Sequence, residues 1–225
     1  MSGSGPSRHG SVTAEGARGD IVAHGSHLLT VTGRVDTMGM AASLDFHSAR
    51  MVRALIAAEP RAWPRYETVH GELLVTPAPT MWHQELVGHV YAALRRYLEH
   101  ESVGHVFVAP ADVSWGLPDV LVQPDVFVIP AEDADGWDWT RIRRLLLAVE
   151  VMSPGSVRDD RFTKRRLYQE RETPLYWIID SAARSAEVWT PTDRTPLTER
   201  ESLVWRPAGA SEPFVLPLAA LFAGH

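Results

Sequence analysis

Two acidic residues interrupt apolar segments of this sequence in a way that indicates chemistry. Asp125 lies within the apolar segment 121–129, and Glu150 is the one charged residue of segment 145–151. An ionised carboxylate in an apolar core is costly unless it is paired or binds a metal. Two carboxylates on neighbouring strands can hold a hard divalent cation, which prefers oxygen ligands. The two acids therefore indicate a candidate cation site.

A single lysine follows these acids in the chain. Lys164 is the one lysine among 22 basic residues, and all the others are arginine. The arginine side chain is a planar fork that stays charged, whereas the lysine ammonium is a compact point charge. The lysine is either a chance survivor in an arginine-rich composition or a group that a site requires in this form. In the second case it forms one set with Asp125 and Glu150.

The hydrophobic pattern predicts the elements that carry these residues. Segment 144–152 is so continuously apolar that we expect a central strand buried on both faces. Pro124 marks an irregularity in the strand predicted over 120–129, and segment 66–76 is typical of a bent strand or hairpin. We further expect helices over 43–58, 80–101 and 159–172, and strands over 106–115, 175–179, 187–190 and 201–206. This order predicts an α/β or α+β fold around one mixed sheet.

Composition limits the class of protein. Of the 225 residues, 45% are hydrophobic and 22% charged, as is usual for a globular domain. We interpret residues 1–42, rich in Gly, Ser, Thr and His, as a disordered leader or an upstream extension, and residues 43–225 as one domain. The net charge of −6 argues against a nucleic-acid coat protein but allows an enzyme with a local basic rim. The absence of cysteine suits the cytoplasm, and no apolar run approaches the roughly 18 residues that span a bilayer.

Spaced motifs over residues 43–222 resemble a known family. Asp125 after a proline, followed by Glu150, resembles the motif of the PD-(D/E)XK nuclease superfamily. The wider pattern is similar to the Uma-type putative restriction endonuclease family. The segments that carry this likeness are 66–73 (YETVHGEL), 83–84 (HQ), 123–125 (QPD), 149–154 (VEVMSP), 160–168 (DRFTKRRLY) and 176–180 (YWIID). The resemblance implies a restriction-endonuclease-like fold with a central mixed sheet flanked by helices.

The sequence departs from the superfamily motif at one position. Met152 stands two residues after Glu150, where the motif has lysine. Lys164 on the following helix matches the family's displaced lysine. Asp160 lies one turn before it, at an i,i+4 spacing that can orient the ammonium group.

The resemblance implies a Mg²⁺-dependent DNA endonuclease that hydrolyses phosphodiester bonds. Asp125, Glu150 and the Val151 carbonyl would hold Mg²⁺, with Mn²⁺ as a substitute, and Lys164 would assist the attacking water. Glu72 is either a further acid of the cleft or a solvated hairpin charge. A homodimer is an expectation of the class.

Other residues of the domain have competing interpretations. His83 either contacts phosphate or metal or is a surface or capping residue at a helix start. Arg161, Arg165 and Arg166 either form a basic rim for DNA phosphates or a solvated helix face. The alternative to an enzyme is a catalytically silent nuclease-fold domain that binds nucleic acid or a protein partner.

Overall fold

The computed structural model describes residues 45–59, 61 and 63–223. The leader predicted over residues 1–42 lies outside the described residues. The helices are α1 (Ala49–Ala58), α2 (Met81–Glu101), α3 (Arg165–Glu170) and α4 (Leu218–Leu221). The strands are β1 (Arg65–Val69), β2 (Glu72–Thr76), β3 (Gly104–Val108), β4 (Val126–Pro130), β5 (Leu147–Val151), β6 (Tyr176–Asp180), β7 (Ser185–Trp189), β8 (Leu197–Glu199), β9 (Ser202–Trp205) and β10 (Phe214–Pro217).

Six of these strands form a central mixed sheet in the order β3-β4-β5-β6-β7-β8. The β5–β6 pair is parallel, and the other neighbours are antiparallel. The pairs β1–β2 and β9–β10 form two separate antiparallel ribbons. The predicted mixed sheet flanked by helices is therefore confirmed.

The central strand is covered on both of its faces. All five residues of β5 are buried. Val149 packs with the apolar stripe of α2 and with β9 and β10 on one side. Ala148 packs on the other side with Leu167 and Tyr168 of α3 and with the ribbon β1–β2. Glu150 alternates with Val149 along the strand and so faces the α3 side.

Helix α2 begins at the residue that the sequence predicts. The Thr80 side chain accepts a hydrogen bond from the His83 N–H at 3.1 Å and caps the helix. A buried stripe at helical spacing, Leu86 to Leu98, packs on the sheet. Ser102 ends the helix in the left-handed conformation, with φ of 53°. The cap places His83 in the first turn.

The predicted helix over 159–172 consists of two parts. Residues Asp159–Lys164 form a π-helical segment, which continues as α3 up to Glu170. Short π-helical insertions occur frequently at functional sites because they re-aim side chains. Here two residues of the insertion, Asp160 and Lys164, are buried.

The strands around Pro124 are shorter than the sequence predicts. Strand β4 begins only at Val126, because Pro124 has no N–H to donate to the sheet. Upstream, Leu121 pairs with Thr68 of β1 and Val122 with Val113. The chain thus leaves the small ribbon and enters the large sheet at Asp125.

None of the helices in the described part of the chain has the length and apolar character of a membrane span.

Candidate active site

The two acids predicted to share a site lie side by side. Val126 of β4 pairs with Val149 of β5. Asp125 directly precedes β4, and Glu150 follows Val149 in β5, so continuing the antiparallel register places the two acids opposite each other. Both side chains are buried, with relative exposures of 4% and 2%.

Asp125 is held by donors from three elements. Its Oδ1 accepts from Nη1 of Arg65 at 3.0 Å. Its Oδ2 lies 3.1 Å from Nε2 of His83 and accepts from the Val151 N–H at 2.9 Å. Burial by itself would raise the pKa of this carboxyl, but the His83 hydrogen bond and the Arg65 charge hold the pKa well below its usual range. Asp125 is therefore a fixed anion.

Glu150 and Lys164 form a buried ion pair. Nζ of Lys164 donates to Oε1 of Glu150 at 3.0 Å, and the Tyr168 hydroxyl lies 3.3 Å from the same oxygen. Burial raises the pKa of Glu150 well above its usual value. The Lys164 charge opposes this rise, and the negative charge of Asp125 adds to it. The ionisation of Glu150 therefore depends on the charge of Lys164.

A third carboxylate completes the surroundings of the ammonium group. Oε2 of Glu67, in β1, lies 2.9 Å from Nζ of Lys164, and Oδ1 of Asp160 lies 3.8 Å away. Burial alone would lower the pKa of Lys164, but Glu150 and Glu67 outweigh it and raise the pKa above its usual value. Lys164 is thus protonated at any physiological pH and supplies positive charge, not a base.

Negative charge exceeds positive charge in this cluster. Its four buried carboxylates are Glu67, Asp125, Glu150 and Asp160, and its two fixed cations are Arg65 and Lys164. Burial raises the pKa of Asp160 to about 6, against the opposing effects of Lys164 and Ser156. A cluster with uncompensated carboxylates is the electrostatic setting in which a cation is stabilised.

A cavity of about 220 Å³ opens onto the acids. Asp125, Glu150, Val151, Lys164 and His83, all predicted as site residues, line it together. The rest of its wall is formed by Trp63, Arg65, Asp160 and segments 76–80 and 153–156. The start of α2, with Thr80 and His83, also lines the cavity, and the helix dipole places partial positive charge there. The cavity therefore combines acidic residues, which favour a cation, with the start of helix α2, which favours an anion.

The structure places Glu72 outside this cavity. Glu72 lies at the start of β2 with an exposed side chain, and its carboxylate is 3.8 Å from Arg158. It lines a separate surface groove with Phe162 and Arg166. The acid of the hairpin that reaches the cluster is Glu67, on the paired strand.

The three predicted rim arginines also lie away from the wall of this cavity. Arg161 binds Glu187 at 2.6 Å and Asp180 at 3.5 Å. Arg165 lies over the Trp189 ring, 4.8 Å from its centroid, and Arg166 lines the surface groove beside Glu72. Arg65 is the arginine that lines the cavity, and the sequence did not indicate it.

The residues present fit a hard cation in donor type and in charge. Asp125, Glu150 and the carbonyl of Val151 are oxygen donors, as Mg²⁺ requires. Within the described residues, no group of three or more His, Cys, Asp or Glu is arranged as a metal site. Arg65, now on Oδ1 of Asp125, is the group with which a cation competes.

The six-stranded mixed sheet flanked by helices is a restriction-endonuclease-like fold. The comparisons agree with that fold. Residues 53–212 match the family model Uma2, described as "Putative restriction endonuclease". The match covers more than half of the chain, and the protein belongs to this family.

A solved structure gives the same fold. It is a putative nuclease belonging to DUF820 from Anabaena variabilis, with a TM-score of 0.60 and 20% sequence identity. The alignment covers 75% of this chain and 95% of that one. The comparison with curated proteins gave no match.

Glu67 and Arg65 belong to the cluster but were not predicted as site residues, and only Glu67 had a signal in the sequence. Glu67 stands between Tyr66 and Thr68 in a strand-forming segment, as Glu150 does among aliphatics. An acid in a buried strand needs a partner, and this holds for Glu67 as it does for Glu150. Arg65 had no such signal, because arginines are common in this chain and its contact with Asp125 spans 60 residues.

Proposed function

We propose that this protein is a divalent-cation-dependent DNA endonuclease that hydrolyses phosphodiester bonds at the Asp125–Glu150 site. The cation is Mg²⁺, with Mn²⁺ as a substitute, held by Asp125, Glu150 and the Val151 carbonyl. When bound, it polarises the scissile phosphate and lowers the pKa of water. The observation that carries the proposal is the convergence of two adjacent buried carboxylates and the single lysine at one cavity.

Lys164 contributes a fixed positive charge. Its ammonium lies 3.0 Å from Glu150 and lines the cavity, so it can neutralise charge that develops on phosphate or hold a water beside the acid. Because neighbouring acids raise its pKa, it does not serve as the proton acceptor.

His83 orients the other acid. Its Nε2 atom binds Asp125, and its side chain is 12% exposed. Nδ1 of His83 is buried without a hydrogen-bond partner. An imidazole in this position helps to keep Asp125 ionised, because its hydrogen bond lowers the pKa of that carboxyl.

The test is cleavage of supercoiled plasmid with Mg²⁺ or Mn²⁺. The wild-type protein nicks DNA, chelation by EDTA stops it, and Glu150→Gln loses about 100-fold or more of the rate. Glutamine has nearly the same shape as glutamate, and circular dichroism with urea denaturation checks that this variant folds. Glu99→Gln is the matched control, because Glu99 is an exposed α2 residue paired with Arg95. Equal cleavage by Glu150→Gln and wild type contradicts the proposal.

A further inference from the structure

We propose that Glu67 is a positioning residue that holds the Lys164 ammonium group beside Glu150. This role rests on the proposed function of the site. Glu67 lies in β1, outside the central sheet. Glu67 does not line the cavity. It acts through the lysine.

The first observation is the geometry of the contact. Oε2 of Glu67 lies 2.9 Å from Nζ of Lys164 as an ion-pair contact without hydrogen-bond geometry, and the same nitrogen donates a hydrogen bond to Oε1 of Glu150 at 3.0 Å. The two carboxylates belong to different sheets, so the ammonium bridges the β1–β2 ribbon to the central strand β5. A lysine with four flexible side-chain bonds loses its rotational freedom when two anions fix its end.

The second observation is that Glu67 is itself fixed. Its Oε1 accepts the Gln123 N–H at 2.7 Å, and the residue is fully buried. Gln123 is two residues before Asp125, and its carbonyl accepts from Arg65, the guanidinium that binds Asp125. One backbone residue therefore connects the acid that holds Lys164 to the group that holds Asp125.

The third observation is the element that carries the lysine. Lys164 comes from the end of a π-helical segment, not from the strand that carries Glu150. A side chain that reaches the site from another element needs an external contact to fix its end. Asp160 is too distant for this, at 3.8 Å, and Glu150 alone would leave the ammonium free to swing around a single oxygen.

The experiment uses the fact that Lys164 is the one lysine of the chain. Incorporation of ¹³C-lysine into the full-length protein gives one set of ε-methylene NMR signals. In the wild type we expect two separate ε-proton shifts and restricted motion. In Glu67→Gln the two shifts merge and the motion increases. Glu67→Asp keeps the charge on a shorter side chain and restores part of the difference between the two ε-proton shifts. Glu99→Gln gives the same signals as the wild type.

Cleavage kinetics give the second readout. Loss of a group that positions charge for the transition state lowers kcat by about 10- to 100-fold with little change in KM. If Glu67→Gln does not fold, Glu67→Asp decides, since the shorter carboxylate must loosen the lysine relative to wild type. Unchanged ε-proton signals in the folded Glu67 variants overturn the proposal.

The two proposals fail in different ways. If the wild type does not cleave DNA but its lysine becomes mobile in Glu67→Gln, the endonuclease function is wrong and the positioning role stands. If the wild type cleaves and the Glu67 variants keep a rigid lysine, the positioning role is wrong and the endonuclease function stands.

Discussion

The Val151 N–H donates a hydrogen bond to Oδ2 of Asp125 at 2.9 Å, although 26 residues separate them in the chain. The main chain of the strand that carries one acid thus holds the side chain of the other. The spacing of Asp125 and Glu150 is set by sheet geometry and not by two flexible side chains. Such preorganisation is what a cation site with few protein ligands needs.

Asp125→Asn is expected to weaken divalent-cation binding by about 10-fold or more, since the amide carries no charge. The change also leaves the buried Arg65 guanidinium without its counter-ion, and breaking a buried pair costs about 3–5 kcal/mol. Calorimetric Mn²⁺ titration and urea denaturation measure the two effects. Asp135→Asn, at an exposed pair with Arg141, is the control. Unchanged cation affinity would show that Asp125 is not a ligand.

Lys164→Arg is expected to lose about 100-fold of the cleavage rate. The larger planar guanidinium cannot place one nitrogen between Glu67 and Glu150, which approach Nζ at 2.9 and 3.0 Å. Plasmid nicking under saturating Mg²⁺ measures the rate. Full activity of this variant would show that the site needs positive charge alone.

Lys164→Ala has a second expected effect. It leaves two buried carboxylates without their cation, so we expect a loss of about 3–5 kcal/mol in the free energy of unfolding. A stability equal to wild type in urea denaturation would contradict the buried ion pairs.

Cation affinity is expected to rise with pH. The pKa of Glu150 is raised by burial and by its acidic neighbours. Below that raised pKa the carboxyl is protonated, and a cation must displace the proton. Mn²⁺ titration between pH 6 and 9, in buffers of different ionisation enthalpy, measures both the affinity and the protons released. A pH-independent affinity with no proton release would argue against Glu150 as a ligand.

Asp160 is expected to destabilise the protein at neutral pH. Its pKa is raised from 3.8 to about 6, so the folded state binds the proton more tightly than the unfolded state. The free energy of unfolding therefore falls as pH rises from the unfolded pKa to about 6, and the loss is complete above it. Two pKa units correspond to about 3 kcal/mol at most.

Asp160→Asn removes this dependence. We expect the variant to be more stable than wild type at pH 8 and nearly equal to it at pH 4. Thermal unfolding at the two pH values measures the difference, and a lower stability of the variant at pH 8 would contradict the argument. A gain in stability with a loss of cleavage would follow the usual trade-off at functional sites.

The sequence by itself determined the central strand, the long helix and the acids at their places in the chain. Glu150 could be identified because a carboxylate in an aliphatic strand is costly unless it finds a partner. Thr80 could be identified because helix capping involves only residues close in the sequence. The single lysine could be recognised by composition alone. Each of these signals is local.

Only the tertiary structure decided which charged groups meet. Glu67 and Glu72 belong to one hairpin, and the sequence pattern favoured Glu72, yet the fold buries Glu67 against Lys164 and leaves Glu72 exposed. Arg65 reaches Asp125 across 60 residues. Contacts of this kind depend on how the ribbon β1–β2 packs against the central sheet, which brings together residues far apart in the chain, and a local sequence pattern does not specify that packing.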